Sequence, residues 1–336
     1  MEQIEFNTGC YEYPIKSKDY HYEDLIACGA VNTEIDWEKG FDIEDTITLK
    51  REHQNGSLSC VAQATSKIGE VLNFLETKEL VDFSAKRIYS NIRLDGGGAY
   101  TAQACQFVID NGFLPERLDP SYDNGKPPTE DYIKQKKELT EEEKKLEKYY
   151  GALKFFYIDS FGPQTMENMA IAIKNHKGFL LGAGGSNEGW WSADVRPPKT
   201  GEGVWHHLMF ATGYGMRNGR KYIKVLNSWG ANYGDNGCNY IYEDYVSSGH
   251  LHRGLVLVDK TNLKENLYRL VKEKGKPAVY VHDMFMDTYY GISDGEGIAG
   301  GDLLKVMSGT YKNANIIVVD LINQSKIKGS VRAIKE

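Results

Sequence analysis

No run of about 18 apolar residues occurs in the 336-residue chain, so nothing in it reads as a membrane-spanning helix. Basic charge is also scarce. Forty Lys and Arg stand against 47 Asp and Glu, a net charge of −7. No basic stripe is left to displace counterions, which argues against a general nucleic-acid binder. The five cysteines, Cys10, Cys28, Cys60, Cys105 and Cys238, are odd in number and sparse. A disulfide framework is therefore not expected, with a Cys10–Cys28 bridge as the alternative. No CxxC pair and no His-rich spacing is present, so no metal is expected. The glycine-rich Gly291–Gly301 stretch lacks the lysine and the spacing of a phosphate cradle, and no cofactor is expected. The N-terminus, Met1-Glu-Gln-Ile-Glu-Phe-Asn, is acidic and has no apolar h-region. A signal peptide is not expected, which favours a cytoplasmic or virion-associated place over Sec secretion. No internal repeat is found.

What is present is an ordinary globular composition, 41% hydrophobic and 26% charged, enough for a real core. The length suits one large domain with appendages, or two domains. Residues 1–40 are polar and aromatic and read as irregular structure or short strands, with residues 1–34 as an N-terminal extension. Residues 41–53, with Thr46-Ile-Thr-Leu49, are β-flavoured. From Ser59, apolar residues recur at helical spacing through Val61, Ala64, Ile68, Val71, Leu72 and Leu75, which predicts a helix of about five turns with Cys60 in its first turn. Further helices are predicted from Phe83, from Ala102 to Ile109 ending at Asn111-Gly112, and over 165–176. The charged stretch 129–150 reads as a solvated helix or helix pair. Strand candidates follow at Phe179, Leu208, Tyr222, Tyr240 and Leu255. Helices first and strands second predict an α+β fold with segregated halves. Residues 259–336 read as a separate α/β unit, with a helix from Leu263 to Lys274 and strands at Ala278–Val281 and Ile316–Val319.

The chemistry is carried by four residue types in order. Cys60 lies at a helix start, where orphan N–H groups and the macrodipole favour a thiolate. His207 is the candidate base and His206 its competitor, because neighbours on a strand point to opposite faces. Asn227 would fix the imidazole tautomer, and Trp229 would cover that bond. The Gln54 amide and the Cys60 N–H would form an oxyanion hole. A partner imidazole is the second feature able to lower the Cys60 pKa, by holding the proton as an ion pair.

Gln54-x5-Cys60, His207-x5-Gly213-Tyr-Gly215 and Asn227-Ser-Trp-Gly230 with Gly234 and Gly237 together resemble the papain-like cysteine peptidases over about residues 35–258. The Gly-Tyr-Gly count selects His207. The resemblance implies a two-lobed fold, with a helical lobe over about 55–150, a β-barrel-like lobe over about 151–258, and the active site in the cleft between them. It implies a polypeptide substrate and hydrolysis through a thioester on Cys60. It also implies close backbone approach of substrate at Gly97 and Gly98, with Tyr100, Trp205 and His206 lining the substrate pocket. Ser57 and Leu58 depart from the family pattern, and Leu58 is expected to narrow the first pocket. Val61 after the nucleophile suggests a microbial or viral member. The usual long propeptide is missing, but residues 1–34 are long enough to lie in the cleft. Two other readings compete: a structural or assembly (virion) protein on this fold, and a thiol amidase or cell-wall peptide hydrolase. A protein partner for residues 259–336 is also expected.

Overall fold

The computed structural model describes residues 9–14, 19–27 and 30–258, and beyond them the strand segments 266–272, 279–283, 288–293, 314–315 and 330–333. Two compact units emerge. One comprises Met1–Tyr22 with Glu34–Asp259, the other Glu23–Thr33 with Lys260–Glu336.

In the first unit the chain opens with a two-residue strand, β1 (Cys10–Tyr11), and β2 (Phe41–Asp42) comes ahead of the main body; between them Tyr22 begins a helix, α1 (Tyr22–Ala27), where irregular structure or short strands were expected, and from Glu23 on α1 belongs to the second unit. The β-flavoured Thr46–Leu49 is not a strand; it follows a 3-10 turn at Ile43–Asp45 whose cap is the Asp42 carboxylate. Then comes α2 (Cys60–Thr77), the predicted five-turn helix. It is buried from Cys60 to Asn73. At its middle a Cβ on Gly69 would lie 2.6 Å from the Phe113 ring. The propensity cost of a mid-helix glycine, about 1 kcal/mol, is thus accepted for close packing. Around α2 lie α3 (Ala85–Ile92), β3 (Ala99–Tyr100) and α4 (Thr101–Asp110). Ser84 caps α3, accepting from the Arg87 N–H at 2.9 Å. The charged stretch is a helix pair, α5 (Glu130–Ile133) and α6 (Glu141–Tyr149), the latter opened by a Thr140–Glu143 capping box. It is not wholly solvated, because Glu147 is buried against the Arg87 guanidinium at 2.7 Å.

The second half is sheet. The strands are β4 (Lys154–Ile158), β5 (Phe179–Gly185), β6 (Trp205–Arg217), β7 (Arg220–Leu226), β8 (Cys238–Tyr242) and β9 (Gly254–Val258). They pair antiparallel in the order β4-β9-β5-β6-β7-β8, with β2 against β6. Helix α7 (Thr165–His176) packs on the sheet, and the short α8 (Asp244–Ser248) sits beside β8. Helix α2 lies against β6, which brings the start of the one to the inner face of the other.

In the second unit the expected helix Leu263–Lys274 is overturned. Residues Asn266–Lys272 form strand β10, paired antiparallel with β11 (Val279–Asp283). Its apolar residues, Leu267, Leu270 and Val271, fit a helical stripe; cross-strand pairing overrides that pattern. With β12 (Thr288–Ser293), β13 (Ala314–Asn315) and β14 (Ser330–Ala333) it makes a five-stranded sheet in the order β13-β10-β11-β12-β14. The strand expected at Ile316–Val319 lies outside the described residues. So do residues 294–301 of the glycine-rich stretch, whose start, Gly291–Ser293, closes β12.

Candidate active site

Cys60 is the first residue of α2 and is fully buried. The preceding turn bends through Asn55 and Gly56, both at positive φ. Ser59 stands at the N-cap but makes no side-chain cap. Its hydroxyl lies 2.8 Å from that of Ser57 and 3.3 Å from the Gln63 amide. The side chain that would normally satisfy first-turn N–H groups is thus engaged elsewhere.

His207 lies on β6 with its ring inward, while His206 is exposed. The alternation expected of a strand separates the two. His207 Nε2 lies 2.8 Å from Asn227 Oδ1, just past the end of the neighbouring β7. The Asn227 carboxamide cannot turn over. Its Oδ1 also accepts from the Ser228 N–H at 2.7 Å, and its Nδ2 donates to Asn239 Oδ1 at 2.9 Å. The hydrogen of a neutral imidazole is therefore on Nε2. Nδ1 is left as a bare acceptor, buried and without a hydrogen-bond partner among the described residues. Trp229 stacks on the ring at 4.4 Å and 23°, and so shields the His207–Asn227 bond from water.

Gln54 is held at the seam between residues 52–54 and 228–230. Its N–H donates to Ser228 O at 2.8 Å, and Gly230 N–H donates to Glu52 O at 2.8 Å. Its carboxamide donates to Ser57 O at 2.7 Å and accepts from the Ser228 hydroxyl at 2.6 Å. Trp205 is buried on β6. It packs edge-on against Trp190 and Trp229, at 5.3 and 5.4 Å, with its indole N–H on Asn187. Bulk and apolarity draw this large ring into the aromatic cluster behind the histidine.

The groove beside Cys60 holds the chain's own N-terminal segment. Strand β1 pairs parallel with β3, Cys10 with Ala99 and Tyr11 with Tyr100. Ala99 N–H donates to Gly9 O at 2.7 Å. Gly98, at φ +71°, lets this backbone in; a Cβ there would lie 2.7 Å from Gly9 O. Leu58 reaches over Gly97, and its carbonyl leaves no room for a Cβ on Gly9. Tyr13 stacks on Tyr100 at 4.3 Å. Arg253 ties the segment down: its N–H donates to Glu12 at 2.8 Å, and its guanidinium donates to Asp19 and to Tyr13 O at 3.0 and 3.1 Å. The Cys10 sulfur lies 3.7 Å from His252 Nδ1, and His252 Nε2 lies 2.9 Å from His206 Nδ1. Gly9, Cys10, His252 and Arg253 were not among the expected site residues. A glycine and a cysteine in a polar, aromatic lead-in carry almost no spacing signal.

Sealing the groove changes the proton balance. Burial raises the Cys60 pKa, against N–H groups of Leu208, Gly9, Val61 and Cys60 that pull it down. Burial also lowers His207 to about 4, although Asn227 favours its charged form. Desolvation of both partners thus works against the charged pair while β1 fills the groove.

Cys10, Cys60, Cys105 and Cys238 are all free thiols. Glu52, Glu70 and Asp82 approach one another as metal ligands would, but the Lys67 ammonium fills the space, 2.7 Å from Glu52 and 2.6 Å from Glu70. That donor set suits the lysine rather than a cation. No helix among the described residues is long and apolar enough to cross a membrane.

Comparison with known proteins agrees with this layout. Cathepsin S of Mus musculus is 30% identical over 176 residues, covering 52% of this chain and 47% of that protein. Mexicain of Jacaratia mexicana is 28% identical over 215 residues, covering 60% of this chain and 85% of that protein. The chain thus spans about half the length of the first relative. Among solved structures, xylellain, a cysteine protease from Xylella fastidiosa, superposes with a TM-score of 0.61 at 16% identity, covering 75% of this chain and 96% of that one. Digestive procathepsin L 3 of Tenebrio molitor gives 0.53 at 16% identity, over 68% and 72% of the two chains. The model of the papain family cysteine proteases matches residues 31–254, a span that runs through Cys60, His207 and Asn227. By that match, and by the fold that carries these residues, the chain belongs to the papain family of cysteine proteases.

Proposed function

We propose that the chain is a cysteine peptidase held latent by its own residues 9–13. The observation that carries the reading is the buried, bare Nδ1 of His207, with its tautomer fixed by Asn227. An imidazole oriented in this way accepts a proton from a thiol and later gives it to a leaving amine.

When a substrate strand replaces β1, water and polar substrate groups return to the groove, and the desolvation that keeps Cys60 and His207 neutral is relieved. Cys60 then loses its proton to Nδ1 and attacks the scissile carbonyl. The oxyanion forms against the Cys60 N–H and the Gln54 amide, a donor type worth roughly 3 kcal/mol. His207 returns its proton to the departing amine, which leaves a thioester on Cys60. Water, deprotonated by His207, attacks the thioester and releases the acid. Gly97 and Gly98 supply the edge along which the substrate backbone lies, in the place β1 occupies here. Leu58 limits the first pocket to small or narrow side chains.

The test uses an unfolded protein substrate and a thiol-directed epoxide. The chain lacking residues 1–13 is expected to cleave the substrate and to take the epoxide on Cys60. The full chain is expected to do both slowly, and the Cys60→Ala variant of the shortened chain neither. Hydrolysis surviving in Cys60→Ala would refute the assignment, and equal rates with and without residues 1–13 would refute the latency.

A further inference from the structure

Lys67 lies on α2, about two turns beyond Cys60, with 3% of its surface exposed. Its ammonium donates to Glu52 Oε1 at 2.7 Å and to Glu70 Oε1 at 2.6 Å. Burial opposes the charge of Glu52, but Lys67 and Lys50 outweigh it. Between this ion cluster and the turn that carries Asn227 lies a small cavity. Glu52, Gln63, Lys67, Leu208, Asn227 and Ser228 line it, and all six are buried. The centre of a water molecule has about 10 Å³ in which to sit, enough for one molecule.

Two acceptors on the lining lack a hydrogen. Glu52 Oε2 and Gln63 Oε1 are buried and have no hydrogen-bond partner among the described residues, a costly condition for either oxygen. Two donors on the lining have a hydrogen to spare. Lys67 gives two of its three to Glu52 and Glu70, and Asn227 Nδ2 gives one of its two to Asn239. A water molecule, with two hydrogens and two lone pairs, is the complement of this set. A metal ion is not, because it would meet the Lys67 ammonium.

We propose that this cavity binds one water, which joins Asn227 to the Glu52–Lys67 ion pair and makes Gln63 a positioning residue for His207. The water donates to Glu52 Oε2 and Gln63 Oε1 and accepts from Lys67 Nζ and Asn227 Nδ2. It completes the Asn227 carboxamide, whose Oδ1 already serves His207 and the Ser228 N–H and whose Nδ2 serves Asn239. Donation from Nδ2 to a water held by a carboxylate leaves Oδ1 more negative. The chain of bonds therefore strengthens the one from His207 Nε2–H to Oδ1, and it favours the imidazolium that the reaction needs. Only this effect on turnover rests on the peptidase reading; the water and its four bonds do not.

The test compares the full chain with its Gln63→Met variant, whose side chain has a similar length and no strong acceptor. High-resolution diffraction is expected to show one water within hydrogen-bonding distance of the four named atoms in the wild type, and none in the variant. In NMR of the full chain with ¹⁵N-labelled histidine, the His207 Nε2–H proton is expected to move upfield in Gln63→Met. Its exchange with solvent is expected to quicken roughly 2- to 13-fold, the worth of one buried hydrogen bond. Gln63→Glu, which keeps an acceptor, is expected to retain the water. Magnetisation transfer from a long-lived water to the Asn227 side-chain amide tests the site in the wild type, without any variant. A dry cavity, an ion in place of the water, or Asn227 Nδ2 bonded elsewhere would overturn the water site. An unmoved Nε2–H resonance in a folded Gln63→Met chain would overturn the positioning role. Diffraction and proton resonance are independent of turnover, so failure of the peptidase reading would show separately, as a chain that holds the water and cleaves nothing.

Discussion

His207 and His176 are both buried imidazoles, and they differ in what surrounds them. His207 has Asn227 on one nitrogen and a place for a thiol on the other. His176, in the last turn of α7, has no hydrogen bond on either nitrogen among the described residues and meets Tyr22 edge-on at 5.5 Å. Burial first, and the charge of Lys177 second, lower its pKa from the ordinary 6.5 to about 4. Between those values the unfolded chain binds a proton that the folded chain does not. Its contribution is therefore whole above 6.5 and is lost as pH falls toward 4. The contribution is on the order of 3 kcal/mol. His176→Phe, which keeps the ring and removes the titration, is expected to flatten the loss of stability between pH 7 and pH 4.5. Urea unfolding followed by fluorescence at the two pH values measures it, and an unchanged slope would mean that His176 is solvated in the fold. This residue was not legible. A histidine closing an amphipathic helix looks like a helix-end cation, and only packing reveals it as neutral. Cys60, His207 and Asn227 stood out because each sits in a motif that resembles the papain-like pattern, Gln54-x5-Cys60, His207-x5-Gly213-Tyr-Gly215 and Asn227-Ser-Trp-Gly230.

Strand β1 is the element that sets the state of the site. Its seat depends on Gly9, where any Cβ collides with the Leu58 carbonyl. Gly9→Ala is expected to unseat the strand at a cost of about 1–3 kcal/mol. The open fraction then rises roughly 5- to 150-fold. The measurement is the rate of Cys60 alkylation in the full chain, and a rate equal to wild type would place the seal elsewhere. The helices α2, α4 and α7 and the strands β5 to β9 were readable from the pattern of apolar residues, whereas β4 and the short helices α1 and α8 were not. Strand β1 was not, because a two-residue pairing has no period. Only the possibility that residues 1–34 lie in the cleft was on hand.

The whole molecule divides so that every residue of the candidate site lies in one compact unit, closed by β9 at Val258. Removing Lys260–Glu336 is therefore expected to leave Cys60 alkylation and thermal unfolding of that unit nearly unchanged. Calorimetry and labelling of a chain ending at Asp259 test this, and loss of the unfolding transition would show that the unit does not stand without the sheet of β10–β14. That sheet was the least legible part. Residues 266–272 satisfy both a helical and an extended pattern, and their pairing with residues 279–283 decides between them. Such pairing is a long-range fact that local propensity does not contain.

The aromatic cluster behind His207 has an optical consequence. Trp190, Trp205 and Trp229 lie within 5.3 to 6.1 Å of one another, and Trp229 is stacked directly on the imidazole. Indole emission is quenched by a protonated imidazole in van der Waals contact. Formation of an imidazolium–thiolate pair when the groove opens would therefore announce itself as a dimming of the chain's own fluorescence, readable in real time without a substrate or a label.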